Sequence, residues 1–172
     1  MRRTAFSKAS RMGANHVSET RAAAQGKRFV LIASSFHPDL SRALVRGASR
    51  ALLRAGVPQD RIRVVWAPGA FELPMLASWL AQRRPRPDAI VALGALVRGE
   101  TTQYEVIAHA AAQGLCQVGV EAAMPVTFGV IVADTLAQAK VRAGRAHGNR
   151  GEEAAEAALA MLRLFDTLGS QR

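Results

Sequence analysis

The sequence predicts a three-layer α/β sandwich, in which a four-stranded parallel sheet carries helices on both faces. Four short apolar segments recur along the chain, each is followed by a segment with helical apolar spacing, and polar or glycine-rich turns separate them. Strands that alternate with helices favour parallel pairing through right-handed crossovers. Strands that are covered on both faces are apolar throughout, as these segments are.

The composition fits one folded domain behind a basic arm. Seven of the 23 Lys and Arg residues lie in residues 1–28, together with one of the 13 acidic residues, and this segment lacks apolar periodicity. Such a segment buries too little apolar surface to offset its ordering entropy. We therefore expect a disordered arm over residues 1–27 and a single α/β domain over residues 28–172. An organelle transit peptide is the less favoured interpretation of the arm.

The composition also argues against several kinds of site. No run of about 18 apolar residues occurs, so we expect no membrane span. A single cysteine, Cys116, permits no intrachain disulfide framework and suits a reducing cytosol, and within its helix it is interpreted as a core residue. The histidines lack metal-ligand spacing, and neither a Walker-type lysine nor a complete G-x-G-x-x-G motif is present. We expect a cytoplasmic protein without a metal or a nucleotide cofactor.

Two strand–helix units are predicted in the first half of the domain. Apolar residues 29–33 form the first strand, and a polar turn after it ends in Asp39 as the cap of a helix. The apolar stripe of this helix is Leu40, Leu44, Ala48, Ala51, Leu52 and Ala55. Residues 62–66 form the second strand. Residues 68–72 connect it to a helix over about 74–83, with proline in the first turn.

The second half repeats the pattern. Its segments are a third strand at residues 88–96, a helix over about 103–119, a fourth strand at 125–132, and a short helix opened by Asp134. Thr102 and Glu105 have capping-box spacing at the start of the long helix. Residues 148–151 break the chain before a last helix. Its apolar face carries Ala154, Ala158, Met161, Leu162, Phe165 and Leu168.

Four connections follow the predicted strands and would meet at one edge of the sheet, where open α/β sheets bind ligands. They are residues 34–39, residues 67–72, residues 94–103 and the stretch after residue 132. In the third connection, residues 99–102 (Gly-Glu-Thr-Thr) open a helix, whose free amides and positive dipole end favour an anion. From this fragment alone, the simpler interpretation is that Thr102 caps the helix and Gly99 makes the turn.

Other side chains in these connections each have two interpretations. Glu72 could accept hydrogen bonds from a polyol or from ring N–H groups, or it could simply interact with the helix dipole. Phe36 lies in a polar turn, where its ring could stack on a planar ligand, whereas Phe128 would normally belong to the core. Arg142 and Arg150 flank the glycine-rich break. Arg142 could bind a phosphate in bidentate fashion, and solvated surface is the commoner role.

Four motifs in order make the chain resemble the lumazine synthase family, whose members catalyse the penultimate step of riboflavin biosynthesis. The motifs are PGAFELP at 68–74, LGALVRGETT at 93–102, PVTFG at 125–129, and RAG at 142–144 followed by GNRG at 148–151. The resemblance covers residues 29–165, and its spacing is that of the family. It implies a flavodoxin-like strand order 2-1-3-4 and a cofactor-independent condensation of 5-amino-6-(D-ribitylamino)uracil with 3,4-dihydroxy-2-butanone 4-phosphate. The products are 6,7-dimethyl-8-ribityllumazine, phosphate and water.

The resemblance also implies roles for individual residues. Phe36 would stack on the pyrimidine, while Glu100, Thr101 and Arg142 would hold the phosphate and Phe128 would close the site. The groups that would hold the pyrimidine and its ribityl chain are Ala70, Phe71, Glu72 and the backbone of Ala95, Leu96 and Val97. Family members form pentameric rings, and some form shells of twelve rings, with Phe128 and Arg142 contributed by the neighbouring chain. The resemblance leaves open whether assembly stops at a pentamer.

One position departs from the family pattern. The family usually has histidine directly after the Thr-Thr pair, as the residue that transfers a proton, and here that position is Gln103. Glutamine forms hydrogen bonds but does not titrate near neutral pH. Because amine addition to a ketone is facile, we expect a working but slower synthase, with His37 as a substitute proton donor.

Two alternatives remain at this point. Gln103 favours a non-catalytic paralogue that binds a flavin or its precursor, or that acts as a scaffold. The basic arm favours nucleic-acid binding, but the domain has no recognition motif, and we expect no surface on it that combines aromatic and basic residues. Nucleic acid is therefore not expected as the main partner. The predicted partners are the two small substrates and further copies of the chain.

Overall fold

The computed structural model describes residue 24, residues 26–144 and residues 148–170. Its strands are β1 (Phe29–Ser34), β2 (Ile62–Ala67), β3 (Ala89–Val97) and β4 (Val126–Ala133). The helices of the described ranges are α1 (Pro38–Arg54), α2 (Leu73–Ala81), α3 (Gln103–Glu121), α4 (Leu136–Ala143) and α5 (Arg150–Gly169), with a 3₁₀ turn at Gln59–Arg61. Each predicted element is found, with its ends shifted by a few residues.

The strands form one parallel sheet in the order β2-β1-β3-β4, which confirms the predicted fold. In this register Ala33 of β1 lies between Trp66 of β2 and Leu93 of β3, and Val97 of β3 pairs with Ala133 of β4. All strands run in the same direction, so their carboxyl ends meet at one edge of the sheet. This edge carries the connections that the sequence marks as candidates for ligand binding.

Helices cover both faces of the sheet because β1 and β3 are apolar on both sides. Leu31 and Val91 pack in the layer that contains α1 and α5, whereas Ile32 and Ala92 pack in the layer that contains α2 and α3. A Cβ atom at Gly129 of β4 would lie 3.0 Å from the Cβ atom of Ala154. The missing side chain at Gly129 therefore lets α5 approach the sheet closely.

Asn149 is a buried polar anchor between three helices. Its Oδ1 accepts hydrogen bonds from the amides of Gly151 (2.9 Å) and Glu152 (3.1 Å), which caps α5. Its Nδ2 donates to the carbonyl of Ala143 at 2.6 Å, at the end of α4, and to the carbonyl of Ala43 in α1 at 3.3 Å. The side chain thus fixes the entry of α5 against the two helices it packs on.

Two predicted helix caps are wrong. The residue that precedes α1 is His37, with Pro38 in the first turn, so Asp39 lies inside the helix. Thr102 precedes α3 but its side chain accepts no capping hydrogen bond, and Glu105 binds the Tyr104 hydroxyl instead. A complete capping box forms at α4, where the Thr135 hydroxyl accepts from the Gln138 amide.

Several residues that were assigned to the core are exposed. Cys116 faces solvent, because the buried stripe of α3 runs through Ala108, Ala111, Leu115 and Val118. Phe128 is 41% exposed on β4, an edge strand. The predicted face of α5 is buried as far as Leu162, but Met161, Phe165 and Leu168 are exposed. An exposed apolar residue on an edge strand or at a helix end is consistent with a surface that contacts a partner. In sequence, the apolar pattern of such a surface looks the same as that of a core.

The arm of residues 1–27 lies mostly outside the described residues, as do Arg145, Ala146 and His147. Where the description begins, Ala24 is buried in the core, and Lys27 forms an ion pair with Asp166 of α5 at 2.9 Å. None of the helices in the described ranges combines the length and the apolar character needed to cross a bilayer.

Candidate functional site

A cleft of about 230 Å³ lies at the carboxyl ends of β1 and β3 and at the start of α3. Seven residues that the sequence singled out line it together: Phe36, His37, Ala95, Leu96, Val97, Thr101 and Gln103. Because β1 and β3 are neighbours, the connections that follow them face each other across this edge. The sequence predicts one cleft shared by the Phe36 ring, the start of α3 and the acidic Glu72. Phe36 and Thr101 line the same cleft in one chain, whereas Glu72 is not among its lining residues.

The turn after β1 projects Phe36 into solvent. The Ser35 amide continues the strand pairing by donating to the Ala67 carbonyl at 2.8 Å, and the buried Ser34 hydroxyl accepts from the Phe36 amide at 3.4 Å. Phe36 is 74% exposed, and its ring meets the His37 ring edge to face, with 5.1 Å between the centroids. A Phe ring held in this way is free to stack on a planar ligand.

The start of α3 offers unpaired amides. In the described part of the chain, the amides of residues 99–104 donate to no backbone or side-chain acceptor, and the first helical bond is that of the Glu105 amide to the Thr102 carbonyl. The helix is 19 residues long, so its dipole places positive potential at this end. Unpaired amides and this potential together suit a phosphate group.

The side chains next to these amides contact one another. Arg98 lies 3.5 Å from Asp134 and its guanidinium sits 5.9 Å from the ring centroid of Tyr104. The Tyr104 hydroxyl donates to Glu105 at 2.9 Å, and this hydrogen bond raises the pKa of the Tyr104 phenol. Tyr104 therefore stays protonated well beyond neutral pH. Among the described residues that line the cleft, His37 is the one histidine, a residue type that serves as a general acid or base in many enzymes.

The connection after β2 lies at the same edge but does not line this cleft. Ala70 is buried, Phe71 is 60% exposed, and Glu72 precedes α2 without a capping hydrogen bond. A Cβ atom at Gly69 would lie 2.8 Å from Glu72 Oε2, so the carboxylate folds back over the glycine. The Glu72 carboxylate therefore makes no capping hydrogen bond to the start of α2.

Other predicted residues lie away from the cleft. Phe128 is five residues from the carboxyl end of β4, roughly 16 Å along the strand. Arg142 is exposed in the last turn of α4, and Arg150 forms an ion pair with Glu153 at the start of α5. Glu100 is exposed between two lining residues, Gly99 and Thr101. Among the residues that the structure describes, no arginine of the same chain lines the cleft.

Some lining residues were not predicted. Tyr104 and Ile107 form one wall because they follow Gln103 with the helical spacing of one face, and this spacing was a usable signal. A second cleft next to His37 is lined by Leu136, Lys140 and Gly144, among others. His37 thus lies between two clefts, and Lys140 is a cation that no motif marked.

The chain is similar to known proteins over most of its length. Residues 26–166 match the family model described as 6,7-dimethyl-8-ribityllumazine synthase. A protein of that name from Gemmatimonas aurantiaca is 45% identical over 142 residues, which cover 83% of this chain and 86% of the relative. A protein of the same name from Aquifex aeolicus is 43% identical over 152 residues, which cover 88% of this chain and 98% of the relative. A third protein of this name, from Prosthecochloris aestuarii, is 44% identical over 142 residues, which cover 83% of this chain and 91% of the relative. The chain therefore belongs to the 6,7-dimethyl-8-ribityllumazine synthase family.

Proposed function

We propose that the chain condenses 5-amino-6-(D-ribitylamino)uracil with 3,4-dihydroxy-2-butanone 4-phosphate at the cleft between Phe36 and the start of α3. The products are 6,7-dimethyl-8-ribityllumazine, phosphate and water. One observation carries the assignment of the site: an exposed aromatic ring and a row of unpaired amides line the same small cleft. A planar ring and a phosphate group are the two features that distinguish the substrates.

The phosphate of the second substrate binds at the start of α3 in this proposal. Amides of residues 99–104 donate to its oxygens, the Thr101 hydroxyl adds a donor, and the helix dipole favours its charge. The Glu100 side chain is exposed and points to no partner in the described residues, so its contribution here is its backbone amide. Binding in this place orients the ketone toward the interior of the cleft.

The pyrimidine binds on the opposite side. Its ring stacks on Phe36, while backbone groups of Ala95, Leu96 and Val97 at the end of β3 hold its polar edge. The adjoining connection of Ala70, Phe71 and Glu72 receives the ribityl chain, and the uncapped Glu72 carboxylate accepts from its hydroxyls. This arrangement places the amine of the pyrimidine against the ketone, and such positioning supplies a large part of the rate in condensations of this kind.

His37 transfers the protons that the reaction needs. Amine addition to the ketone gives a carbinolamine, whose hydroxyl is protonated and leaves as water. Removal of a proton from the neighbouring carbon then expels phosphate and leaves an enol that becomes a ketone, and the second amine of the pyrimidine closes the ring on this ketone with loss of a second water. Gln103 can orient a reactant through hydrogen bonds but cannot exchange a proton at neutral pH. His37 lines the cleft together with Gln103, and its imidazole can act both as the acid and as the base in these steps.

The site is completed by a neighbouring copy of the chain. No arginine is among the described residues that line the cleft of one chain, and Arg142 and Phe128 are exposed elsewhere on its surface. In a ring of identical chains, one surface of each chain meets a different surface of the next. Arg142 of one chain then neutralises the phosphate in the site of its neighbour, and Phe128 covers the ring of the pyrimidine.

The rate of lumazine formation, followed by fluorescence across pH, tests the role of His37. We expect His37→Gln to lower kcat by about 100-fold or more. His109→Gln is the matched control, because His109 is exposed on α3 and outside the cleft. Gln103→His should raise the rate and should rescue His37→Gln, since it restores an imidazole in the same cleft. An unchanged kcat in His37→Gln would show that another group moves the proton.

The alternative is a paralogue that binds a flavin or its precursor without catalysis, and Gln103 is the observation that favours it. Equilibrium titration separates the two functions. Binding of the pyrimidine substrate is measured by the quenching of the protein's fluorescence. If the chain binds this substrate but forms lumazine no faster than the enzyme-free mixture does, it is a binding protein. A chain that binds the substrate and turns it over is a synthase.

A further inference from the structure

A third cleft, of about 390 Å³, opens at the amino ends of β1 and β2. This edge of the sheet is opposite to the proposed catalytic cleft, roughly 20 Å away along a six-residue strand. Five arginines line it, with one carboxylate, that of Asp60: they are Arg28, Arg61, Arg63, Arg83 and Arg84. They come from the start of β1, from the 3₁₀ turn and β2, and from the connection between α2 and β3. The fold therefore concentrates positive charge from three separate segments in one concave surface.

These guanidinium groups lack ion-pair partners. Elsewhere in the described chain, Arg42, Arg50, Arg54, Arg98 and Arg150 lie within ion-pair distance of a carboxylate, whereas Arg46, Arg86 and Arg142 do not. None of the five arginines of this cleft forms an ion pair within the described ranges, and Asp60 is the one carboxylate among the lining residues. Five positive charges that face each other around one negative charge repel, and the repulsion is relieved when an anion enters. A ligand with several phosphates relieves more of this repulsion than a monoanion does.

The cleft also has an aromatic platform. Trp79 is 52% exposed, and the Arg83 guanidinium stacks over its ring at 3.9 Å from the centroid. Buried Phe29 and Leu80 form an apolar floor beneath the charged rim. Planar heterocycles stack on indole rings and on guanidinium planes alike, whatever the base. An apolar floor, a stacking surface and several free guanidinium groups together match the three parts of a nucleotide.

We propose that this cleft binds nucleotides, with phosphates on the arginines and the base on the Trp79–Arg83 stack. The ligand is either a free nucleoside polyphosphate or a unit of a single strand, which share this chemistry. The expectation from sequence that the domain has no surface combining aromatic and basic residues is wrong, because Arg83 stacks on Trp79 four residues before it and the fold adds the arginines of the β1 and β2 segments to the same cleft. The proposal is independent of the lumazine synthase activity, since it uses the opposite edge of the sheet.

Fluorescence anisotropy of a fluorescein-labelled 12-nucleotide oligodeoxythymidylate, titrated with the full chain at several salt concentrations, tests the cleft. We expect saturable binding that Arg61→Gln/Arg63→Gln weakens about tenfold while lowering the salt slope by about 1.4, or about 0.7 per phosphate contact. Trp79→Ala should weaken binding about fivefold or more, and Trp79→Phe should retain most of it. Each variant should keep the wild-type rate of lumazine formation, which reports that it is folded.

The control is Arg42→Gln/Arg46→Gln, which removes the same charge from α1 outside the cleft. We expect it to change the affinity less than twofold. Displacement of the probe by ADP, at concentrations where inorganic phosphate is ineffective, assigns the cleft to free nucleotides. Displacement only by unlabelled oligonucleotide assigns it to a strand. The proposal is overturned if the cleft variants bind like the wild type, if the control weakens binding equally, or if Trp79→Ala has no effect.

Discussion

At the scale of single residues, a few side chains decide both the geometry and the chemistry of this domain. Asn149 is buried and makes four hydrogen bonds to three helices, and sequence pattern alone marked it only as part of a glycine-rich break. A buried polar anchor has no periodic signature, because its role depends on which carbonyls the fold brings within reach. Phe36, in contrast, could be assigned from sequence, since an aromatic residue in a polar turn has no core to enter.

Asn149→Ala should destabilise the fold. It removes the cap of α5 and leaves the Ala143 carbonyl without its buried donor, so we expect a loss of about 2–4 kcal/mol in the free energy of unfolding. Urea unfolding followed by circular dichroism measures it. Gln113→Ala, at an exposed position of α3, is the control and should stay within about 0.5 kcal/mol of the wild type. A loss no greater than that of the control would mean that Asn149 does not hold the helices together.

At the scale of elements, the strands and helices were predictable because each apolar run or stripe is local and strong. The starts of the helices were less predictable, because capping depends on backbone geometry rather than on residue spacing. Thr102 and Glu105 have the spacing of a capping box but do not form one, and Thr135 and Gln138, also three apart, do. The amides left unpaired by Thr102 are those proposed to bind phosphate, so the missing cap has a functional explanation.

The start of α3 should therefore show a conflict between stability and binding. Thr102→Asp should raise stability by about 0.3–1 kcal/mol, because its carboxylate lies at the positive end of the helix dipole. Only Thr102→Asp brings a carboxylate to the same amides, so it should raise KM for the butanone phosphate about tenfold while leaving KM for the pyrimidine unchanged. Thr102→Asn is the neutral control. Equal KM values for the phosphate substrate in the two variants would place the phosphate elsewhere.

At the scale of the whole molecule, one chain presents only part of the proposed site. Phe36, His37, Thr101 and Gln103 share a cleft, whereas Phe128 and Arg142 are exposed at a distance from it. Their placement was not predictable from the pattern of one chain, because a residue that is buried between copies resembles a core or a surface residue. The family resemblance supplied the expectation that they act across a subunit interface.

Mixing two inactive variants tests this sharing. If Arg142 acts in the neighbouring site, Arg142→Ala and His37→Gln chains that are unfolded and refolded together should regain about a quarter of the wild-type activity. Random assembly leaves that share of sites with both residues intact. Each variant refolded alone is the control. No gain on mixing would mean that both residues act within the same chain, and mass photometry of the same samples reports the number of chains per particle.

The most direct test of the central claim is the product formed when the purified chain is mixed with both substrates, measured by chromatography with mass detection and by phosphate release in the same sample. We predict 6,7-dimethyl-8-ribityllumazine at a rate well above that of the enzyme-free mixture, with phosphate released in equal amount. Lumazine formation no faster than in the enzyme-free mixture, at any pH tested, would contradict the proposed function.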